Sequence, residues 1–214
     1  METEELLNLY QKLRPQIESR VEEFRRLKEE GTEEELFKEA CFCLFTPQSK
    51  AVNCWQAVEK LHKTGLLYSG DEEEIAKAIR GLVRFHNTKA ARLVLLRRLF
   101  SRDGKLTVRE VIERFPKPTE ARNWLVENVK GYGLKEASHF LRNTGYGLEL
   151  AIVDRHIVKN LHALGAIEEI PSSITPATYL EIEERMRRFA KALGLPLQHL
   201  DLLLWAKEAG FVFK

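Results

Sequence analysis

Residues 129–138 read VKGYGLKEAS, and this stretch decides how the fold is interpreted. Gly131, Tyr132 and Gly133 interrupt a helical pattern, and Lys135 follows in the first turn of the next predicted helix. Glycine permits positive φ and close backbone approach, so the stretch predicts a compact hairpin between two helices. Outward-pointing N–H groups beside a helix start can seat a phosphate, although most such turns only connect helices. Lys135 is unusual there because the helix dipole already makes that end positive.

The rest of the chain also has the punctuation of helices, with no sustained alternation of apolar and polar residues. Thr46 and Pro47 suit the N-cap and first turn of a helix, and Thr107 with Glu110 forms a capping-box pattern. The pattern predicts an all-α fold of about ten helices. No linker or internal repeat separates domains, so any division must lie within the helix packing.

Composition and charge indicate a globular protein with a nucleic-acid partner as one option. The chain has 214 residues, of which 44% are hydrophobic, and no apolar run approaches the ~20 residues of a membrane span. Its acidic amphipathic start does not suit a secretory signal, so we expect an intracellular, cytoplasmic protein. The net charge of +2 hides a basic stretch in which Asp103 is the only acid: Arg80, Arg84, Lys89, Arg92, Arg97, Arg98, Arg102, Lys105 and Arg109. This stretch favours DNA binding if it forms one face; otherwise its arginines pair with acids elsewhere.

The three cysteines, Cys41, Cys43 and Cys54, lie in apolar helical patterns without repeated C-x-x-C spacing. That argues against a disulfide framework, a zinc site or an iron–sulfur cluster, and predicts buried thiols that pack as small apolar groups. We expect no redox or organic cofactor and no catalytic metal site.

Two further polar residues stand at predicted helix starts. Asp154 ends the apolar segment NTGYGLELAIV and precedes RHIVKNLHAL, so its simplest interpretation is an N-cap. Gln48, in FTPQSKA, is predicted in the first turn of its helix, where an exposed glutamine needs no special role. Alone, neither residue indicates a function.

Together these residues resemble the helix–hairpin–helix superfamily of DNA glycosylases. The superfamily pattern is L/V-x-G-x-G-x-K, an apolar stretch and then V-D-x-H; here residues 129–135 read VKGYGLK and residues 153–156 read VDRH. Many members have proline where this chain has Lys130. The resemblance implies two helical lobes with a DNA-binding cleft. Residues 38–145 would form a central helical barrel ending in the hairpin, and residues 1–37 with 146–214 the second lobe.

The resemblance also implies roles for the polar residues. A lysine at this hairpin position marks members that cut the strand as well as remove a base, so Lys135 would form a Schiff base with the sugar. Asp154 would stabilise positive charge on the sugar or orient the amine. Gly131 and Gly133 would meet the DNA backbone. In addition, His156 would contact a phosphate, and Gln48 would enter the gap left by the extruded nucleotide.

The chain departs from the iron–sulfur branches of the superfamily, because no cysteine lies beyond Cys54. It resembles instead the compact 8-oxoguanine DNA glycosylases of archaea and some bacteria. The resemblance implies a bifunctional glycosylase and AP lyase of base-excision repair. It would act as a monomer, at the nucleoid, on duplex DNA containing 8-oxoguanine or abasic sites. The alternatives are the same lysine chemistry on another oxidised base, or a non-catalytic DNA-binding protein.

Residues for a base pocket come mainly from the last predicted helix, where Gln198, Asp201 and Trp205 fall near one another at helical spacing. The resemblance implies that the segment ending at Lys214 closes over the base opposite Phe85. Ordinary core packing is the alternative for the two aromatic residues. Asp201, on an apolar stretch, needs a partner, which we expect to be the base edge; an arginine is the alternative.

Overall fold

The structure, a computed structural model, describes residues 3–214 and is almost entirely helical. Its elements are, in order, α1 (Thr3–Glu30), α2 (Glu33–Phe45), α3 (Ala51–Lys63), α4 (Leu66–Ser69), α5 (Glu72–Ile79), α6 (His86–Leu99), β1 (Ser101–Arg102), β2 (Lys105–Leu106), α7 (Val108–Ile112), α8 (Pro118–Asn128), α9 (Leu134–Asn143), α10 (Arg155–Ala163), α11 (Pro176–Ala192) and α12 (Leu197–Ala209). The all-α prediction is confirmed. The described residues hold twelve helices, against the about ten expected, and α4, with four residues, is too short to leave an apolar period. Across residues 3–214, no helix has the length and apolarity that a membrane span needs.

The hairpin of β1 and β2 was not predicted. Ser101 pairs with Leu106 and Arg102 with Lys105, around a turn whose Asp103 has a positive φ of 52°. Strands of two residues carry no apolar alternation, so the only sequence signal was the Asp-Gly pair, a common hairpin turn.

The chain divides into two compact units. One contains α1 up to Glu29 together with Leu141–Lys214, and the other contains Glu30–Phe140. These boundaries differ by several residues from the expected 37/38 and 145/146. The assignment of one unit as a barrel lobe and the other as its partner lobe stays a prediction.

The core of the Glu30–Phe140 unit is built from α2 and the helices around it. Phe37, Phe42 and Phe45 on α2 are fully buried, as are the three cysteines. The prediction of buried thiols outside any disulfide is confirmed. Burial raises the pKa of Cys41 well above its usual value and that of Cys54 to about 11, so neither thiol is a ready nucleophile.

The predicted capping box before α7 is wrong. Thr107 precedes the helix, but its hydroxyl donates to the Phe100 carbonyl instead of capping. The carboxylate of Glu33, from the start of α2, accepts hydrogen bonds from the Val108 and Arg109 N–H groups. A side chain distant in sequence therefore supplies the cap that the local pattern assigned to a threonine.

Candidate active site

The hairpin forms between α8 and α9, and the buried side chain of Tyr132 fixes it to α2. The N–H of Tyr132 donates to the Val129 carbonyl, and its buried hydroxyl donates to the Ala40 carbonyl at 2.7 Å. Gly131 has a φ of +100°, which side chains rarely adopt. A Cβ at Gly131 would lie 2.8 Å from Cδ of Arg92, so the glycine also allows an arginine of α6 to lie against the turn.

Lys135 lies in the first turn of α9, as predicted. Its Nζ is 3.2 Å from Oγ1 of Thr46 and 3.6 Å from a carboxylate oxygen of Glu136, and its side chain is 23% exposed. Glu136 also accepts a hydrogen bond from the Gly133 N–H at 3.0 Å. The carboxylate therefore holds the hairpin turn, while the closest partner of the amine is an uncharged hydroxyl.

A second lysine, which sequence reasoning did not single out, lies on α6. Lys89 is 2% exposed, and its Nζ donates to the carbonyls of Phe45 at 2.6 Å and Pro47 at 2.7 Å. Its third donor reaches Oγ of Ser49 at 3.1 Å. The signal that could have found it is helical spacing, because Lys89 stands on the same face as the buried Leu93 and Leu96.

Burial lowers the pKa of Lys89 to about 8. The charged and titratable groups around it act in both directions: Cys54 and Glu136 favour the ammonium form, while Lys135 and Arg92 disfavour it. Two cationic side chains, one buried and one half-buried, therefore lie beside the hairpin.

The turn at residues 46–50 corrects the prediction for Gln48. Thr46 is the C-cap of α2 instead of the N-cap of α3, its hydroxyl donates to the Cys43 carbonyl, and α3 begins only at Ala51. Gln48 accordingly lies outside the helix, exposed, with a positive φ of 55°. Pro47 misled the prediction because it occupies a tight turn between helices, where its fixed φ is equally suitable.

Phe85 is the most exposed aromatic residue of the described chain. It is 56% exposed, has a positive φ of 57° and precedes α6, with the guanidinium of Arg84 lying 5.5 Å from its ring centre. It is therefore not core packing, which was the alternative. The Arg84 N–H donates to Oγ of Ser49, so the turn at Phe85 is tied to the turn at Gln48.

In the other unit, two side chains of α11 fix the extended segment before Asp154. The Ala151 N–H donates to Glu183 at 2.9 Å, and the Tyr179 hydroxyl donates to the Ala151 carbonyl at 2.6 Å. The same hydroxyl accepts from the Val153 N–H at 3.2 Å. Sequence reasoning missed both supporting residues, since nothing local shows that a tyrosine and a glutamate will bind backbone groups 26 to 32 residues away.

Asp154 is the N-cap of α10, as its simplest interpretation predicted. One carboxylate oxygen, Oδ1, accepts from the N–H groups of His156 at 2.8 Å and Ile157 at 2.9 Å. In residues 3–214, the second oxygen accepts no hydrogen bond. The side chains of Asp154 and His156 are half-buried and exposed, respectively.

Asp201 pairs with an arginine, which was the alternative to a contact with the base. Its Oδ2 lies 2.9 Å from a guanidinium nitrogen of Arg142, with 6% and 3% of the two side chains exposed. Oδ1 accepts from the Ile152 N–H at 3.4 Å. The structure therefore favours an internal ion pair over the expected contact with a base.

The remaining predicted pocket residues are only partly brought together. The rings of Phe211 and Phe213 lie 5.4 and 5.8 Å from that of Trp205, so the C-terminal tail folds onto this tryptophan, with Lys214 half-buried at its end. Gln198 instead lines a pocket against α1, together with Glu18, Ser19, Val21, Glu22, Arg25, Pro196 and His199. Helical spacing suggested that Gln198 and Trp205 belong to one cluster. In the structure they have different neighbours: Gln198 packs near α1, and Trp205 packs against the C-terminal tail.

The basic stretch does not pair uniformly with acids. Arg102 forms an ion pair with Glu110 and Arg109 one with Glu113, and Arg97 donates to backbone carbonyls in α4 and directly after it. By contrast, Lys89 donates to two backbone carbonyls, and the guanidinium of Arg84 lies over the ring of Phe85. Among residues 3–214, no three His, Cys, Asp or Glu side chains are grouped to hold a metal ion.

Comparison with known proteins identifies relatives of this chain. The profile of the 8-oxoguanine DNA glycosylase family matches residues 17–195. The 8-oxoguanine DNA glycosylase/AP lyase of Fusobacterium nucleatum is 44% identical over 210 residues, which are 98% of this chain and 96% of the relative. That of Methanocaldococcus jannaschii is 38% identical over 199 residues, 92% of this chain and 91% of the relative.

Solved structures give the same result. The crystal structure of the 8-oxoguanine DNA glycosylase of Thermotoga maritima matches with a TM-score of 0.86 at 38% identity, over 99% of this chain and 97% of that one. The Methanocaldococcus jannaschii 8-oxoguanine glycosylase/lyase, in complex with DNA containing 8-oxoguanine, matches with a TM-score of 0.86 at 33% identity, over 98% and 99% of the two chains. The likeness extends over both compact units.

Proposed function

The chain belongs to the 8-oxoguanine DNA glycosylase family, and from this membership we propose that it removes 8-oxoguanine from duplex DNA and then cuts the strand as an AP lyase. The observation that carries the proposal is the placement of Lys135. Its amine lies in the first turn of a helix, beside the hairpin glycines, and its closest partner is the hydroxyl of Thr46. Schiff-base chemistry of this kind requires a lysine amine as the nucleophile.

In the proposed reaction, Nζ of Lys135 attacks C1′ of the deoxyribose as the bond to the base breaks, and the electron pair of that bond leaves with the base. Loss of a proton from the nitrogen and opening of the sugar ring give a Schiff base. Removal of a C2′ proton then expels the 3′ phosphate by β-elimination. Because the Thr46 hydroxyl donates its own hydrogen to Cys43, its lone pair faces the amine and holds it in place.

We assign Asp154 the stabilisation of positive charge that develops on the sugar. Its cap bonds use Oδ1 only, which leaves Oδ2 for this task. Asparagine is as good an N-cap as aspartate, so Asp154→Asn separates the two roles. We expect the free energy of unfolding to change by less than about 1 kcal/mol while excision slows by on the order of 100-fold. Unchanged excision would leave Asp154 as a cap alone.

The remaining contacts complete the proposal. Gln48 and His156 are exposed and are proposed to contact DNA, with Gln48 entering the gap left by the extruded nucleotide. Trp205 and Lys214 are proposed to contact the base. We propose that the protein acts as a monomer, in the cytoplasm and at the nucleoid, on duplex DNA with 8-oxoguanine or abasic sites.

Borohydride trapping tests the lysine and the substrate together. Borohydride reduces the Schiff base to a stable protein–DNA link, and the assay is run on duplexes with 8-oxoguanine opposite cytosine, with an oxidised pyrimidine, and without damage. Lys135→Gln should abolish the link and retain DNA binding. Lys130→Gln is the matched control, because this lysine lies in the same turn, exposed, and carries the same charge. It should keep the link and weaken binding in a salt-dependent way.

The outcomes separate the alternatives. A link that forms only with 8-oxoguanine and is lost only in Lys135→Gln supports the proposal. A link only with the pyrimidine lesion keeps the lysine chemistry and replaces the substrate. Retained binding without a link on any duplex would favour a protein that does not use Lys135 as a nucleophile.

A further inference from the structure

Two exposed residues near the hairpin have a backbone conformation that side chains rarely adopt. Gln48 and Phe85 have φ values of 55° and 57°, and both side chains face solvent. Left-handed backbone at residues other than glycine persists only where the surroundings enforce it, and such residues cluster at functional sites. The structure should therefore contain interactions that hold both turns in this backbone conformation.

Lys89 makes the central interactions of this kind. It is buried, and its three donors go to the carbonyl of Phe45 at the end of α2 and to the Pro47 carbonyl and Oγ of Ser49 in the turn that carries Gln48. Three hydrogen bonds satisfy an ammonium completely. A carboxylate partner could have satisfied the charge from one side, but here two backbone carbonyls and a serine hydroxyl of residues 45–49 share it.

Ser49 extends the same hydrogen-bond network to the second turn. Its Oγ lies 3.1 Å from Nζ of Lys89 and accepts the Arg84 N–H at 3.0 Å, one residue before Phe85. Lys89 also stands in the first turn of the helix that Phe85 precedes, and its own N–H donates to the Phe85 carbonyl. Both left-handed residues are thus joined through one lysine and one serine.

We propose that Lys89 is a positioning residue that locks the turns of Gln48 and Phe85 into one rigid element, which the enzyme presents to duplex DNA. The inference rests on the proposed function. Lys135 makes no hydrogen bond to this lock, which consists of Lys89, Ser49 and the two turns that they join, because its hydroxyl partner Thr46 is held by α2 through a hydrogen bond to Cys43. The charge of Lys89 acts on Lys135 only electrostatically, and Ser49→Ala leaves that charge in place. The lock should therefore matter where two strands and a gap must be recognised, and not for the amine chemistry itself.

The test compares two substrates that share the chemistry and differ in the duplex. One is a duplex with 8-oxoguanine opposite cytosine, followed as single-turnover excision; the other is a single-stranded abasic oligonucleotide, followed as borohydride trapping. Lys89→Met keeps the length of the side chain and removes its donors. Ser49→Ala keeps Lys89 and removes the link to Arg84. Lys60→Met is the matched control, since this lysine also donates to a backbone carbonyl, that of Ala78, but outside both turns.

We expect Lys89→Met to slow duplex excision on the order of 10- to 100-fold, as small displacements of positioning groups do, with trapping on the single strand nearly unchanged. Ser49→Ala should act in the same direction to a smaller extent, and Lys60→Met should affect neither substrate. Equal losses on both substrates, or no loss on the duplex, would overturn the proposal. If Lys89→Met does not fold, Ser49→Ala decides by the same ratio. Failure of the wild type on the duplex would instead contradict the proposed function.

Discussion

Replacing Asp201 by asparagine tests whether this residue belongs to the fold or to the base pocket. The substitution keeps the shape of the side chain but removes the negative partner of Arg142, which is 3% exposed and cannot reach water. Leaving one partner of a buried ion pair uncompensated costs about 3–5 kcal/mol. Asparagine can still accept one hydrogen bond, so we expect a loss near the lower value, about 3 kcal/mol.

The loss is measured as the free energy of unfolding in urea, followed by tryptophan fluorescence and extrapolated to water. A double variant, Arg142→Met with Asp201→Leu, removes both charges and should recover most of the stability, because paired apolar groups of similar volume often replace buried ion pairs without loss. Excision of 8-oxoguanine by Asp201→Asn should fall only as far as the folded fraction falls. A stable Asp201→Asn that no longer excises the base would refute the reasoning and return Asp201 to the pocket.

Three further predictions follow from local geometry. Gly131→Ala should weaken DNA binding and destabilise the hairpin by about 1–2 kcal/mol, because alanine is strained at positive φ, whereas Gly133→Ala, without positive φ, should cost less in a parallel binding titration. Glu33→Ala should lower the unfolding free energy by about 1 kcal/mol, and Thr107→Ala by less, since the carboxylate and not the threonine caps α7; the reverse order in urea titrations would contradict this. Burial holds the pKa of Lys89 at about 8, against 10.5 in an unfolded chain. Between these pH values the unfolded state binds more protons, so the stability of the wild type relative to Lys89→Met should rise from pH 8 to about 10.5; a flat difference would contradict the burial of this charge.

What the sequence predicted well depends on local interactions. The hairpin glycines, the lysine that follows them and the capping aspartate before α10 all act within a few residues, and each lies in the structure where the pattern indicated. The buried cysteines follow from helical periodicity in the same way. Local patterns therefore predicted the helices and the positions of Lys135 and Asp154.

What the sequence could not predict depends on partners that are distant along the chain. The cap of α7 comes from Glu33, and the partner of Asp201 is Arg142. Burial of Asp201 was foreseeable from its apolar neighbours, and so was its need for a partner, but several arginines could have met that need. Lys89 was placed among the basic residues of a possible DNA face, although its charge is turned inwards.

The cap and the proposed reaction at Asp154 require the same arrangement, so they are not competing explanations. A carboxylate that accepts two N–H groups at a helix start cannot rotate freely. Oδ1 accepts both hydrogen bonds, and this fixes the direction in which Oδ2 points. Tyr179 and Glu183 add to this by fixing the backbone just before the cap. A side chain that must offer negative charge at one point, without reorganising during the reaction, benefits from each of these constraints. The structural role of Asp154 is therefore the means by which its proposed catalytic role becomes effective.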